Sequence, residues 1–146
     1  MIYRMLISAL MSSLKQACKI TAWRSPDFRA RLDRASFFMQ VNISDDTRCY
    51  QLKKGRWRSS KSPAGSHPDL LIEWKSARAA LQCLVHRDVA NIIKSHMAAL
   101  TEGRLSLEFN MPSVYRFGTL LSLMTEAWRP RQKRGTGESR WQTNMT

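Results

Sequence analysis

A chain of 146 residues with 43% hydrophobic and 9% aromatic side chains is the size of one ordinary domain. A chain of that length buries roughly 70% of its unfolded surface, which sets aside an intrinsically disordered polymer. The formal net charge of +13 is that of a phosphate-seeking protein, but residues 62–128 balance six basic against six acidic side chains, and the excess sits in 1–35, 47–61 and 129–146.

The N-terminal segment carries apolar residues at Ile2, Met5, Leu6, Ala9, Leu10, Leu14 and Ala17, with Ile7 and Met11 widening the stripe. That spacing predicts an amphipathic helix, which packs on the domain or lies against a membrane or a partner. Ser25-Pro26 interrupts it, so residues 1–34 are read as a helix and a linker.

A period of two begins at Phe37 and runs through Met39, Val41 and Ile43, as a half-buried strand requires. After the turn residues Ser44, Asp45 and Asp46, a second alternating run holds Tyr50 and Leu52, and Gly55 separates it from Arg56, Trp57 and Arg58. This predicts a hairpin whose strands carry Lys53, Lys54, Arg56 and Arg58, assigned as contacts for an anion or a membrane surface. A Ser, Gly and Pro-rich loop through His67 leads to a fourth strand, Asp69 to Trp74.

Ser76 is placed to cap a helix with Ala77, Ala80, Leu81, Leu84 and Val85 on one face. A second helix from Asp88 groups Val89, Ile92, Ile93, Met97 and Leu100, and Gly103 ends it. Leu105, Leu107 and Phe109 alternate as a fifth strand, and a last helix spreads Val114, Phe117, Leu120, Leu121, Leu123, Met124 and Trp128 over more than one stripe. Residues 35–128 are therefore read as one α+β domain, a five-stranded, mostly antiparallel sheet covered by helices, and 129–146 as a disordered basic tail.

Motifs of chemistry are missing: no phosphate-cradling glycine loop, no HExxH and no GxSxG occurs. Cys18, Cys49 and Cys83 lack any CxxC pairing, and His67, His86 and His96 stand apart from them, so neither a disulfide framework nor a metal site is indicated. No catalytic residue and no cofactor is assigned. The N-terminus lacks a secretory pattern and no run reaches the roughly 20 apolar residues of a membrane span, which fits a cytoplasmic protein, free or peripheral to a membrane.

Two passages carry a family likeness. Pro68-Asp69-Leu70-Leu71-Ile72-Glu73-Trp74, followed by Ser76 and the helix through Leu81 and Leu84, resembles the sterol carrier protein type 2 family's passage of strand into helix. Ala99 to Asn110 is similar to that family's helix ending in Gly, a basic residue and an alternating strand, although Phe109-Asn110 stands where the family usually has Gly-Asp or Gly-Asn. The resemblance spans about 90 of the 146 residues and leaves out the N-terminal helix and the tail. It implies a sheet covered by helices, an apolar tunnel for a fatty acyl, sterol or isoprenoid-like ligand, and no catalysis. Standalone bacterial proteins of this kind include accessory factors of ubiquinone synthesis.

The leading expectation is a sterol-carrier-like protein that binds or presents a hydrophobic small molecule or lipid, lined by Leu81, Leu84, Val85, Ile93, Met97, Leu100, Phe117, Leu120, Leu121 and Met124. Two alternatives stay open. Nucleic acid would bind the basic hairpin 48–61 and the tail, with Tyr50 and Trp57 stacking on bases. A module of a larger complex would dock a protein partner through its N-terminal helix.

Overall fold

The computed structural model describes residues 2–62 and 65–130. Two helices, α1 (Ile2–Arg24) and α2 (Pro26–Arg34), precede the strands β1 (Ser36–Ile43), β2 (Asp46–Lys53) and β3 (Arg56–Ser60). Then come β4 (Leu70–Trp74), α3 (Ala77–Leu84), α4 (Val89–Thr101), β5 (Leu105–Phe109) and α5 (Met111–Trp128). The strands form one sheet in the order β3-β2-β1-β4-β5. Only the β1–β4 pair is parallel; the other three pairs are antiparallel. This is the expected α+β class with its five strands. Of the expected basic tail, residues 131–146 lie outside the described residues.

Local chemistry explains the punctuation. Ser76 and Asp88 start their helices by accepting hydrogen bonds from the backbone N–H of Ala79 at 3.1 Å and Asn91 at 2.8 Å, the role short polar side chains play at helix N-termini. The two-residue turn Lys54-Gly55 has φ of 50° and 73°, the backbone that matches a hairpin's twist. Gly103 at φ 69° stops α4, and the backbone N–H groups of Gly103 and Arg104 return to the carbonyls of Leu100 and Ala99. The stretch after Ser25, expected as a linker, is instead the helix α2. Ser25 caps it through the N–H of Phe28 at 3.3 Å, and Pro26 supplies the fixed φ of a first helical turn.

Cross-strand pairing fixes the inner face of the sheet, because partners in register point to the same side. Its rows are Trp57, Leu52, Phe37; then Tyr50, Met39, Leu70, Phe109; then Val41, Ile72, Leu107; and finally Ile43, Trp74, Leu105. One core cluster joins Ile43, Trp74 and Leu105 to Tyr3 and Met11 of α1, Ala80 and Cys83 of α3 and Ala99 of α4. A second joins Phe37 and Leu52 to Cys18, Phe28, Leu32 and Leu120. Leu14, Met39 and Trp57 pack against both.

Helix α1 docks on this face, but by a different stripe from the one expected. Tyr3, Met11, Cys18 and Thr21 are buried, while Ile2, Met5, Leu6 and Leu10 are exposed. The helix is apolar around most of its first half, so spacing alone does not choose between two faces; partners do. Tyr3 settles beside Trp74, and burial pushes its phenol up to about 12. Thr21 Oγ1 donates to the Ala17 carbonyl at 2.7 Å and accepts from Trp128 Nε1 at 2.8 Å. The Arg24 guanidinium lies 4.9 Å from the centre of the Trp128 ring, so the last turn of α5 is pinned to α1.

Candidate functional site

The ten residues expected to line a ligand site fall into two cores and one exposed stripe. Leu81, Leu84 and Leu100 pack against the cluster of Trp74 and Leu105. Phe117, Leu120 and Met124 belong to the cluster of Phe37 and Leu52, where Phe117 stacks on Phe37 with ring centres 4.2 Å apart. Leu121 is half-buried, whereas Val85, Ile93 and Met97 are exposed. On α3 the buried side is Ala79, Ala80 and Cys83, rotated from the face expected around Leu84 and Val85. Cys83 Sγ donates to the Ser95 carbonyl of α4 at 3.4 Å, and this contact with α4 turns the helix.

The structure adds residues that the sequence did not single out. Leu105 is 4% exposed, but Leu107 and Phe109, on the same face of the same strand, are 37% and 53% exposed. Helix cover therefore ends partway along β5. The uncovered residues are the ends of rows that run inward through Ile72 to Val41 and through Leu70 to Met39.

Helix α4 carries this apolar surface upward. Its α3 side is held at Ser95, whose hydroxyl also meets His86 Nε2 at 2.6 Å. His96 meets Trp74 edge to face at 5.6 Å. Val89, Ile93 and Met97, one turn apart, are left on the side away from α3, and all three are exposed. Leu100 continues their stripe and packs into the core, which joins the stripe to the sheet. Met111 and Tyr115 at the start of α5 are exposed as well. The result is a set of exposed apolar side chains on β5, α4 and the start of α5. The signal for it lay in the sequence as the alternation of Leu105, Leu107 and Phe109; only the missing cover was invisible.

The basic hairpin is arranged against base stacking. Lys53 and Arg58 alternate with Leu52 and Trp57, so these two cations lie on the outer face while Trp57 lies on the inner one; Lys54 sits in the turn and Arg56 follows it at the start of β3. Trp57 meets Phe117 edge to face at 5.8 Å. Tyr50 is buried, and its phenol is raised by that burial, with Arg48 opposing and Asp46 adding to the shift. The expectation that Tyr50 and Trp57 offer rings among these cations is therefore corrected: the period of a strand sends them to opposite faces. No helix among the described residues is long and apolar enough to cross a membrane.

Searches of protein-family models and of curated proteins return no match. Among solved structures the result is different. The chain is similar to proteins described as sterol-carrier-like. A ubiquinone synthesis protein, UbiJ-SCP2, is 16% identical over 84% of this chain and 95% of its own, with a TM-score of 0.44. A conserved hypothetical protein of Thermus thermophilus, described as a candidate sterol carrier protein, is 14% identical over 79% of this chain and 83% of its own, with a TM-score of 0.35. A stereoselective inverting sec-alkylsulfatase from Pseudomonas sp. matches at 10% identity over 65% of this chain but 14% of its own length, with a TM-score of 0.39. The fold class rests on the chain's own strand order and helix placement.

Proposed function

We propose that this chain binds and presents an apolar small molecule, of fatty acyl, sterol or isoprenoid kind, in the groove over β4 and β5. The observation that carries the reading is the uncovered inner face, where Leu107 and Phe109 stand exposed at the end of rows that are otherwise core. A folded monomer rarely leaves a connected apolar surface open to water without use. Ile93, Met97, Leu100 and Leu121 of the expected lining take part, joined by Leu107 and Phe109. Affinity comes from burial, about 0.8 kcal/mol for each CH₂ withdrawn from water. Methionine suits the task, because an unbranched thioether side chain adapts to varied apolar shapes.

On the same reading, the outward stripe of α1, with Ile2, Met5, Leu6 and Leu10 exposed, faces a membrane or a protein partner. Lys53, Lys54, Arg56 and Arg58 add about 1 kcal/mol each near anionic lipid. The resemblance of the chain from Pro68 to Asn110 to sterol carriers supports a carrier without chemistry of its own.

Native mass spectrometry of the purified protein, followed by organic extraction, tests the proposal. The expected result is a bound apolar compound or, for protein stripped of lipid, uptake of one equivalent of a neutral acyl probe. A stripped protein that takes up neither acyl nor isoprenoid probes overturns it.

A further inference from the structure

A cleft of about 520 Å³ opens where α1, α2 and the β2–β3 turn meet. It lies at the β3 edge of the sheet, whereas the groove proposed above lies at the β5 edge. Its volume is that of a small-molecule site, and its walls have two chemistries.

The floor is apolar. Cys18 and Leu32 are buried, and Ala22 and Trp57 are half-buried. Burial pushes the Cys18 thiol up, opposed by the neighbouring Trp57 indole, so the floor carries no negative charge at neutral pH. Trp57 Nε1 is shielded from solvent and has no hydrogen-bond acceptor; its contact with the thiol falls short of a hydrogen bond. A shielded N–H donor without a partner is rare in folded proteins.

The rim is cationic. Lys15 and Lys19 reach it from α1, Arg29 from α2 and Arg56 from β3, against the single carboxylate of Asp33. Among the described residues none of these five groups lies within 4 Å of an opposite charge, since the ion pairs there involve Arg4, Arg48 and Arg104. Gly55, with a φ of 73°, brings the turn so close that a Cβ there would stand 2.5 Å from Asp33 Oδ1. The turn and α2 thus meet at that carboxylate and leave the cations to the open side.

We propose that this cleft binds the anionic head of an amphiphile, a carboxylate or phosphate ester, with the start of its apolar chain on the floor of Leu32 and Trp57. The four cations supply the attraction for the head, and the Leu32 and Trp57 side chains take the start of the chain. The site stands on its own residues and does not depend on the groove at β5.

The indole N–H resonance of Trp57, assigned with the Trp57→Phe variant, reports occupancy in the full-length protein. Dodecyl phosphate, dodecanoate, dodecanol and inorganic phosphate are titrated below their micellar concentrations. Both anionic amphiphiles should move the resonance saturably, inorganic phosphate should bind at least about tenfold more weakly for want of a chain, and dodecanol should leave it in place. Lys19→Gln should weaken dodecyl phosphate about threefold and the Lys19→Gln/Arg29→Gln pair about tenfold, whereas Asp33→Asn should tighten it. A resonance unmoved by either anion, inorganic phosphate binding as tightly as its dodecyl ester, or affinity indifferent to all three variants overturns the proposal. Dodecanol uptake at β5 with Trp57 silent toward both anionic amphiphiles would sink this site alone; a Trp57 that answers the anions, with no dodecanol uptake at β5, would sink the groove alone.

Discussion

The two ends of the sheet are built from the same kind of residue and finished differently. At the β3 end Phe37 and Leu52 are buried beneath residues of α1, α2 and α5. At the β5 end the equivalent inner-face positions, Leu107 and Phe109, face solvent. Strand alternation is the same in both, so propensity does not make the difference; helix supply does. Three helices converge on the Phe37 row, while β5 receives α4 at Ala99 and Leu105, and α5 leaves it at Met111 to cross toward Thr21. What separates a covered end of the sheet from an uncovered one here is therefore where helices are anchored.

Substitutions sharpen the contrast, beginning with the largest effect. Leu52→Ala at the closed end removes a fully buried side chain and should cost about 2–5 kcal/mol in denaturant unfolding. Phe109→Ala at the open end should cost no more than about 1 kcal/mol, so equal losses would erase the distinction. Phe109→Ser should weaken a neutral acyl probe about tenfold in fluorescence titration while leaving the melting temperature within a few degrees. Thr21→Val deletes the acceptor for Trp128 Nε1 and should cost about 1–2 kcal/mol, with a freer indole seen as faster exchange of its N–H.

A smaller effect is alkaline. Tyr3 keeps its proton in the folded protein up to about pH 12, whereas an unfolded tyrosine releases it near ~10. The folded state therefore holds the extra proton, and this contribution is complete below about pH 10 and lost between about 10 and 12. Urea midpoints at the two ends of that window should fall for the natural protein and fall less for Tyr3→Phe.

Much of the architecture was legible because the signals were local. Ser76, Asp88, Gly103 and the alternation from Phe37 to Ile43 act through the backbone within a few residues, and each does in the structure what its chemistry requires. The misjudged features were choices between near-equal faces. Helix α1 offers one stripe through Ile2, Met5, Leu6 and Leu10 and another through Tyr3, Met11 and Cys18, and Trp74 and Trp128, more than 50 residues away in sequence, select the second. Exposure at Phe109 was hidden for a related reason: alternation names the face a residue occupies, and only tertiary placement of α5 decides whether anything covers it. The α2 helix was missed because its large apolar residues are only Phe28 and Leu32, too few for a period to show.

The most direct test of the apolar groove is methyl-resolved NMR during titration of lipid-free protein with dodecanol. Saturable shifts concentrated at Ile93, Met97, Leu100 and Leu107, with Leu52 and Leu32 unmoved, are the predicted result. Saturation without any shift at these four methyl-bearing residues, or no saturable binding at all, would contradict the account.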